Sequence, residues 1–171
     1  KEALKRFDAI YEKEKEQREL AIEDALFVYS EDGQWDDLGK SSRQNRPRYT
    51  IDRVSPALDQ VIGDQRQNRT DIKIIPESGG ADKDTAKIFD GLIRSIESRS
   101  DASNAYDNGF EEALAGGYGG WRICHDYTDD ESFDQEIIIK PILSAASSLW
   151  FDMNAKEYDK SDATHAFITE N

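Results

Sequence analysis

Cysteine, histidine, long apolar runs and positive charge are all in short supply in this sequence. Cys124 is the one cysteine, so no internal disulfide can form, and an intracellular origin is the simpler expectation. The two histidines, His125 and His165, are too few to build a four-ligand zinc site without carboxylates at a spacing that the chain lacks. His125 also follows Cys124 directly, and neighbours in a strand point to opposite faces, so the pair is not expected to share a metal. No apolar stretch approaches the roughly 18 residues of a membrane span, and no signal peptide opens the chain. No membrane partner is expected. Lys and Arg number 22 against 36 Asp and Glu, a formal charge of −14. Such a balance repels phosphate, because stable DNA binding relies on basic side chains that release counterions. Tight, static DNA binding is therefore not expected.

What is there supports one body with a lean core. A chain of about 150 residues buries roughly 70% of its unfolded surface, and this one has 171 residues, of which 37% are hydrophobic and 34% charged. The composition lies between globular and partner-dependent. Because the chain opens at Lys1 and closes on Ile168-Thr169-Glu170-Asn171 without a turn or cap, it reads as part of something longer.

From Lys1 to about Ser30 the pattern is helical, with apolar stripes at Leu4, Phe7, Ile10 and Tyr11 and again at Ile22, Ala25, Leu26 and Tyr29. The polar middle, Glu12 to Glu19, predicts a solvated helix packed only near its ends. Gln34 to Tyr49 reads as a loop with Gly39, Pro47 and the basic residues Lys40, Arg43, Arg46 and Arg48. Ile51, Val54, Leu58, Val61 and Ile62 fall on one helical face running to about Asn68. Asp71 to Pro76 is rich in isoleucine and reads as a short strand, followed by a turn at Glu77-Ser78-Gly79-Gly80. Asp82 or Asp84 can cap the next helix, whose Ile88, Phe89, Leu92, Ile93 and Ile96 keep the helical period. A further helix runs from about Ser103 past Phe110, Ala113 and Leu114. It stops at Gly116-Gly117-Tyr118-Gly119-Gly120, where glycine permits a left-handed cap and a tight reversal. Strands are then expected at Trp121 to Tyr127, Gln135 to Ile142, Ser148 to Phe151 and Ala163 to Thr169. The order, helices first and a small, mostly antiparallel sheet after, predicts an α+β fold. Residues 1–50, 51–115 and 116–171 are its three portions.

None of the usual constellations of chemistry is complete. The glycine run lacks the Lys-Ser/Thr of a phosphate-binding loop and precedes a strand instead of a helix. Asp152, Asn154, Lys156, Tyr158 and Asp159 fail the calcium-loop pattern, with Glu157 where glycine is required and Ala163 where glutamate is. Carboxylates are so abundant that chance pairs carry no catalytic meaning without a positioned partner. No catalytic residue, metal or cofactor is assigned. Gly116, Gly117, Gly119, Gly120 and Trp121 are assigned to a structural turn and core. Arg43, Arg46, Arg48 and Arg53 form the one basic inversion in an acidic chain, which suits contact with an acidic neighbouring copy, a solvated loop or, less simply, DNA.

One stretch is distinctive. Phe110-Glu111-Glu112-Ala113-Leu114-Ala115-Gly116-Gly117-Tyr118-Gly119-Gly120-Trp121-Arg122-Ile123, then Asp126-Tyr127, resembles the portal proteins of short-tailed (podovirus-type) double-stranded-DNA bacteriophages. In that family a helix ends in a glycine-rich turn and a Trp-Arg strand runs into Asp-Tyr and an acidic turn. Phe7-Asp8, Gln34-Trp35-Asp36-Asp37, Gln67-Asn68 with Asp71 to Pro76, and Ser161-Asp162-Ala163 agree in the same order. Family members are several times longer, and the segment resembles the amino-terminal part of their wing region, so channel and clip residues cannot be carried over. The resemblance implies a non-enzymatic subunit of a dodecameric ring at one vertex of the virion head, assembled in the host cytoplasm. Its implied partners are identical subunits, the terminase large subunit, coat or scaffolding protein, a tail-adaptor protein, and double-stranded DNA passing without sequence specificity. Two other readings remain. A head-completion or scaffold-binding protein would come from a short gene, and a metal-dependent nuclease would cleave phosphodiesters through clustered Asp residues.

Overall fold

The computed structural model describes residues 1–30, 35, 37–42, 46–47, 49–76, 82–129 and 131–169. Helices come first: α1 (Glu2–Tyr29), α2 (Asp37–Ser42), α3 (Ser55–Gln67), α4 (Lys83–Arg99) and α5 (Ala102–Gly116). There follow β1 (Trp121–Tyr127), β2 (Gln135–Pro141), the one-turn α6 (Ala145–Ser148), β3 (Leu149–Phe151) and β4 (Ala166–Ile168). The fold is α+β. Its strands pair antiparallel in two ladders, β1 with β2 and β3 with β4.

α5 occupies the middle and touches α1, α3, α4, α6 and both strands of the first ladder. It can do so because small residues line its inner side: Ala102, Ala105 and Gly109 are buried. Ala102 and Ala105 meet Ile139 of β2, with Ile96 and Tyr106 closing over them. A second small cluster, Ile142, Ala145 and Leu149, gathers Tyr118 and Phe151. On the other side Phe7 and Tyr11 of α1 reach Trp150, with ring centroids 5.6 and 5.4 Å apart, and Phe7 reaches Phe167 at 5.7 Å. These ring contacts, edge-to-face for Phe7 and tilted for Tyr11, fasten the first turns of α1 to the second ladder.

Several expectations are corrected. The loop expected over 34–49 contains α2. The helix expected from Ile51 begins at Ser55. Pro56 fits the first helical turn, where no N–H is needed, and the Asp52 carboxylate takes the N–H groups of Val54 and Ser55 at 2.9 and 3.1 Å, fixing the start there. Ile51 consequently stands exposed outside the helix. Asp71–Pro76, expected to be a strand, is assigned to no strand and belongs to neither ladder. The turn expected at 77–80 lies outside the described residues. Asp82 is the cap of α4, accepting from the Asp84 N–H at 2.9 Å and the Thr85 hydroxyl at 3.1 Å. Gln135 forms the far end of the first ladder opposite Tyr127, with Trp121 opposite Pro141 at the other.

At the glycine turn, Gly117 has φ +78° and its N–H closes on the Ala113 carbonyl at 2.9 Å, a left-handed cap. Gly119 is tighter. A Cβ built there overlaps the carbonyl oxygen of Gly109 in α5, so two glycines on different elements let backbone meet backbone. Gly119→Ala is therefore expected to destabilise by about 3 kcal/mol or more, whereas Gly117→Ala costs about 1 kcal/mol for its positive φ. Chemical denaturation of the two variants checks the order; equal effects would show that the turn relaxes freely.

Candidate functional site

The glycine turn is locked from the side by a charge. Arg18, in the polar middle of α1, is 3% exposed, against the expectation that this stretch is solvated. Its position explains why: Phe7, Ile10, Glu14, Arg18, Ala21, Ala25 and Val28 recur every three or four residues, and every one is buried or half-buried. A stripe with that spacing stays on one face of a helix. The guanidinium lies 3.7 Å from the centre of the Tyr118 ring and 4.6 Å from that of Trp150. Its edges donate to the Ala145 and Ala146 carbonyls at 3.2 and 3.1 Å and to one Glu14 oxygen at 3.1 and 2.8 Å. A buried charge is tolerable only when paired and hydrogen-bonded, and here both conditions hold. One side chain thus joins α1, the glycine turn, α6 and β3.

α5 completes the arrangement. Glu112 accepts from the backbone N–H groups of Ser144 and Ala145 at 2.9 and 2.7 Å, ordering the start of α6, where Ser144 holds φ +53°. The turn's residues divide the work. Gly116 closes α5 against the α1 backbone at Ala21, Gly119 approaches Gly109, and the Gly120 carbonyl accepts from Ile142 at 3.2 Å. Trp121 corrects an expectation: it is 48% exposed, with one side of its ring against Tyr106, centroids 4.9 Å apart. The buried tryptophan is Trp150.

A second charged centre sits on the opposite side of α5. Buried Asp107 accepts from Arg69 at 2.5 Å and Arg66 at 3.2 Å, tying α5 to the end of α3. Arg66 and Arg69, not the predicted basic segment, make these internal pairs. Of that segment, Arg46 and Arg53 are exposed, while Arg43 and Arg48 lie outside the described residues. Among the described residues, no group of three or more His, Cys, Asp and Glu side chains is placed to hold a metal, and no helix is long and apolar enough to cross a membrane.

The loop from Asp152 to Asp162, between β3 and β4, is built around carboxylates. Asp152 is buried and accepts from the Thr164 hydroxyl at 2.6 Å and the Asn154 N–H at 3.0 Å, and Asp162 accepts from Lys156 N–H at 2.7 Å. The Thr164 hydroxyl, then the Asn154 N–H, hold the Asp152 carboxyl down at about 2. Arg18, Glu112 and Asp152 all escaped the sequence reading. For Arg18 the signal was available in the spacing of the stripe; for the other two it was not, since their partners are backbone or side-chain groups brought together only by the fold.

The arrangement holds segments together. The family model described as "Phage P22-like portal protein" matches residues 4–171. A protein named "Portal protein" from Acyrthosiphon pisum secondary endosymbiont phage 1 is 32% identical over 174 residues, covering 96% of this chain. The chain spans 24% of that relative's length.

Two outcomes are expected. Arg18→Met should destabilise by about 3 kcal/mol, because the Ala146 carbonyl and both aromatic faces lose their partner; Glu14→Gln, which keeps an acceptor beside the guanidinium but removes its charge partner, should cost less, about 1 to 2 kcal/mol. Equal costs in thermal denaturation would show that the ion pair alone matters. The second concerns acid. A carboxylate held below its ordinary value near 4 stabilises the fold above that value, and its contribution disappears as pH falls through about 2. Asp152→Asn should therefore flatten the loss of stability between about pH 4 and 2, and an unchanged acid limb in denaturant titrations would contradict this role.

Proposed function

The chain belongs to the P22-like portal protein family, and from that footing we propose that it is part of the subunit of the phage head portal ring. In this reading identical copies close into a dodecamer at one vertex of the virion head. The ring admits double-stranded DNA during packaging, releases it on ejection, and docks the terminase large subunit, coat or scaffolding protein, and tail adaptors. The residues form the amino-terminal portion of the wing, assembly takes place in the host cytoplasm, and the protein breaks no bond itself.

The observation that carries the proposal is the family match across residues 4–171. The architecture supports it: the conspicuous polar groups of the interior, Arg18, Glu112 and Asp107, are engaged in tying elements together. The charge supports it too, since a surface of net −14 lets phosphates slide without a grip. Arg46 and Arg53, with Arg43 and Arg48 beside them in sequence, are the residues we assign to contact with an acidic neighbouring copy. The glycine turn from Gly116 to Gly120 and Trp121 supply the rigid body that such a contact requires.

The test uses the full-length gene product. Native mass measurement and negative-stain imaging should give closed rings with a central hole; a protein that stays monomeric under all assembly conditions would overturn the proposal. Reversing charge with Arg46→Glu and Arg53→Glu should raise the concentration needed for assembly about tenfold, or roughly 1.4 kcal/mol. Unchanged assembly would return the basic segment to plain solvent.

A further inference from the structure

Asp71-Ile72-Lys73-Ile74-Ile75-Pro76 has the composition of a strand, yet it forms neither helix nor strand and has no ladder. Among the described residues, its backbone N–H and C=O groups make no hydrogen bond. Ile75 is 73% exposed, and Ile72 is also open. Such a segment is a template for another strand, and soluble proteins do not ordinarily leave one uncovered.

The helix it is tied to is unfinished in the same way. Asp71 pairs with Arg94 of α4 at 3.3 Å, and α4, for all its regular apolar stripe, buries none of its residues. Ile96, near its end, packs on the Ala102, Ala105 and Ile139 cluster, but Ile88, Phe89 and Leu92 stand exposed.

We propose that Asp71–Pro76 is the seat of a β-strand supplied by the same polypeptide from outside these 171 residues. The occupant is argued from length and from order of events. The chain spans 24% of its relative, so about three quarters of such a protein lies elsewhere and is available to fold back. Pairing within one polypeptide proceeds at an effective concentration that a second copy cannot match in solution. It also removes the open edge before copies meet, so that they associate through a defined face instead of by uncontrolled edge pairing. Pro76, which has no N–H to donate, marks where the ladder ends. The inference rests on the family's length and not on ring closure, so the two can fail separately.

The test is hydrogen exchange on the full-length protein, followed by mass spectrometry of peptides spanning Asp71–Pro76, before and after assembly. In the unassembled subunit the amides of Ile72 to Ile75 should exchange at least about a hundredfold more slowly than in an unstructured peptide. Protection that arises only on assembly would overturn the proposal in favour of a strand from a second copy. Free exchange in both states would overturn it as well, leaving the segment unpaired.

Discussion

The fold depends on a charge placed where charge is expensive. Arg18 is buried between two aromatic rings and two backbone carbonyls, and the arrangement is stable only because every side of the guanidinium meets something. Aromatic faces take its plane, Glu14 and the α6 carbonyls take its edges, and no water is required. Lysine, a point charge on a flexible stem, could not do the same. The consequence is specificity of arrangement: α1 can lie against the glycine turn and β3 in one register only, since any other would bury the charge without its partners.

From that constraint the glycine turn follows. Tyr118 must reach Arg18 while Gly119 passes against Gly109 and Gly120 bonds to Ile142. A side chain at Gly119 would collide with the Gly109 carbonyl and push the tyrosine away from the cation, so the turn combines small residues with one aromatic handle. Glu112, one turn of α5 earlier, orders α6 and so sets the carbonyls that Arg18 uses. The parts depend on one another, which is the behaviour of a rigid module.

Much of this was legible in the sequence where periodicity speaks. The extents of α1, α4 and α5, a cap at Asp82 or Asp84, the first two strands and the presence of two short strands after them follow from spacing, capping chemistry and turn residues. The family resemblance lay in the same stretch that the structure makes its centre. Failures came where a residue's type and its environment disagree. Arg18 reads as solvent-facing because arginine usually is, Trp121 reads as core because tryptophan usually is, and Asp71–Pro76 reads as a strand although no partner for it is described. For Arg18 the spacing of the stripe carried the signal, whereas the burial of Trp121 depends on which elements meet, information that no local window contains. The basic segment was visible as composition alone.

The directest measurement of the central claim is a double-mutant cycle between Arg18 and Tyr118, using Arg18→Met, Tyr118→Leu and the pair, with stability read from denaturant unfolding. If the cation and the ring jointly hold α1 to the glycine turn, the cycle should return a coupling of about 1 kcal/mol or more. Strictly additive losses would mean that the two side chains stabilise the fold independently, and that the turn is held by something other than the buried charge.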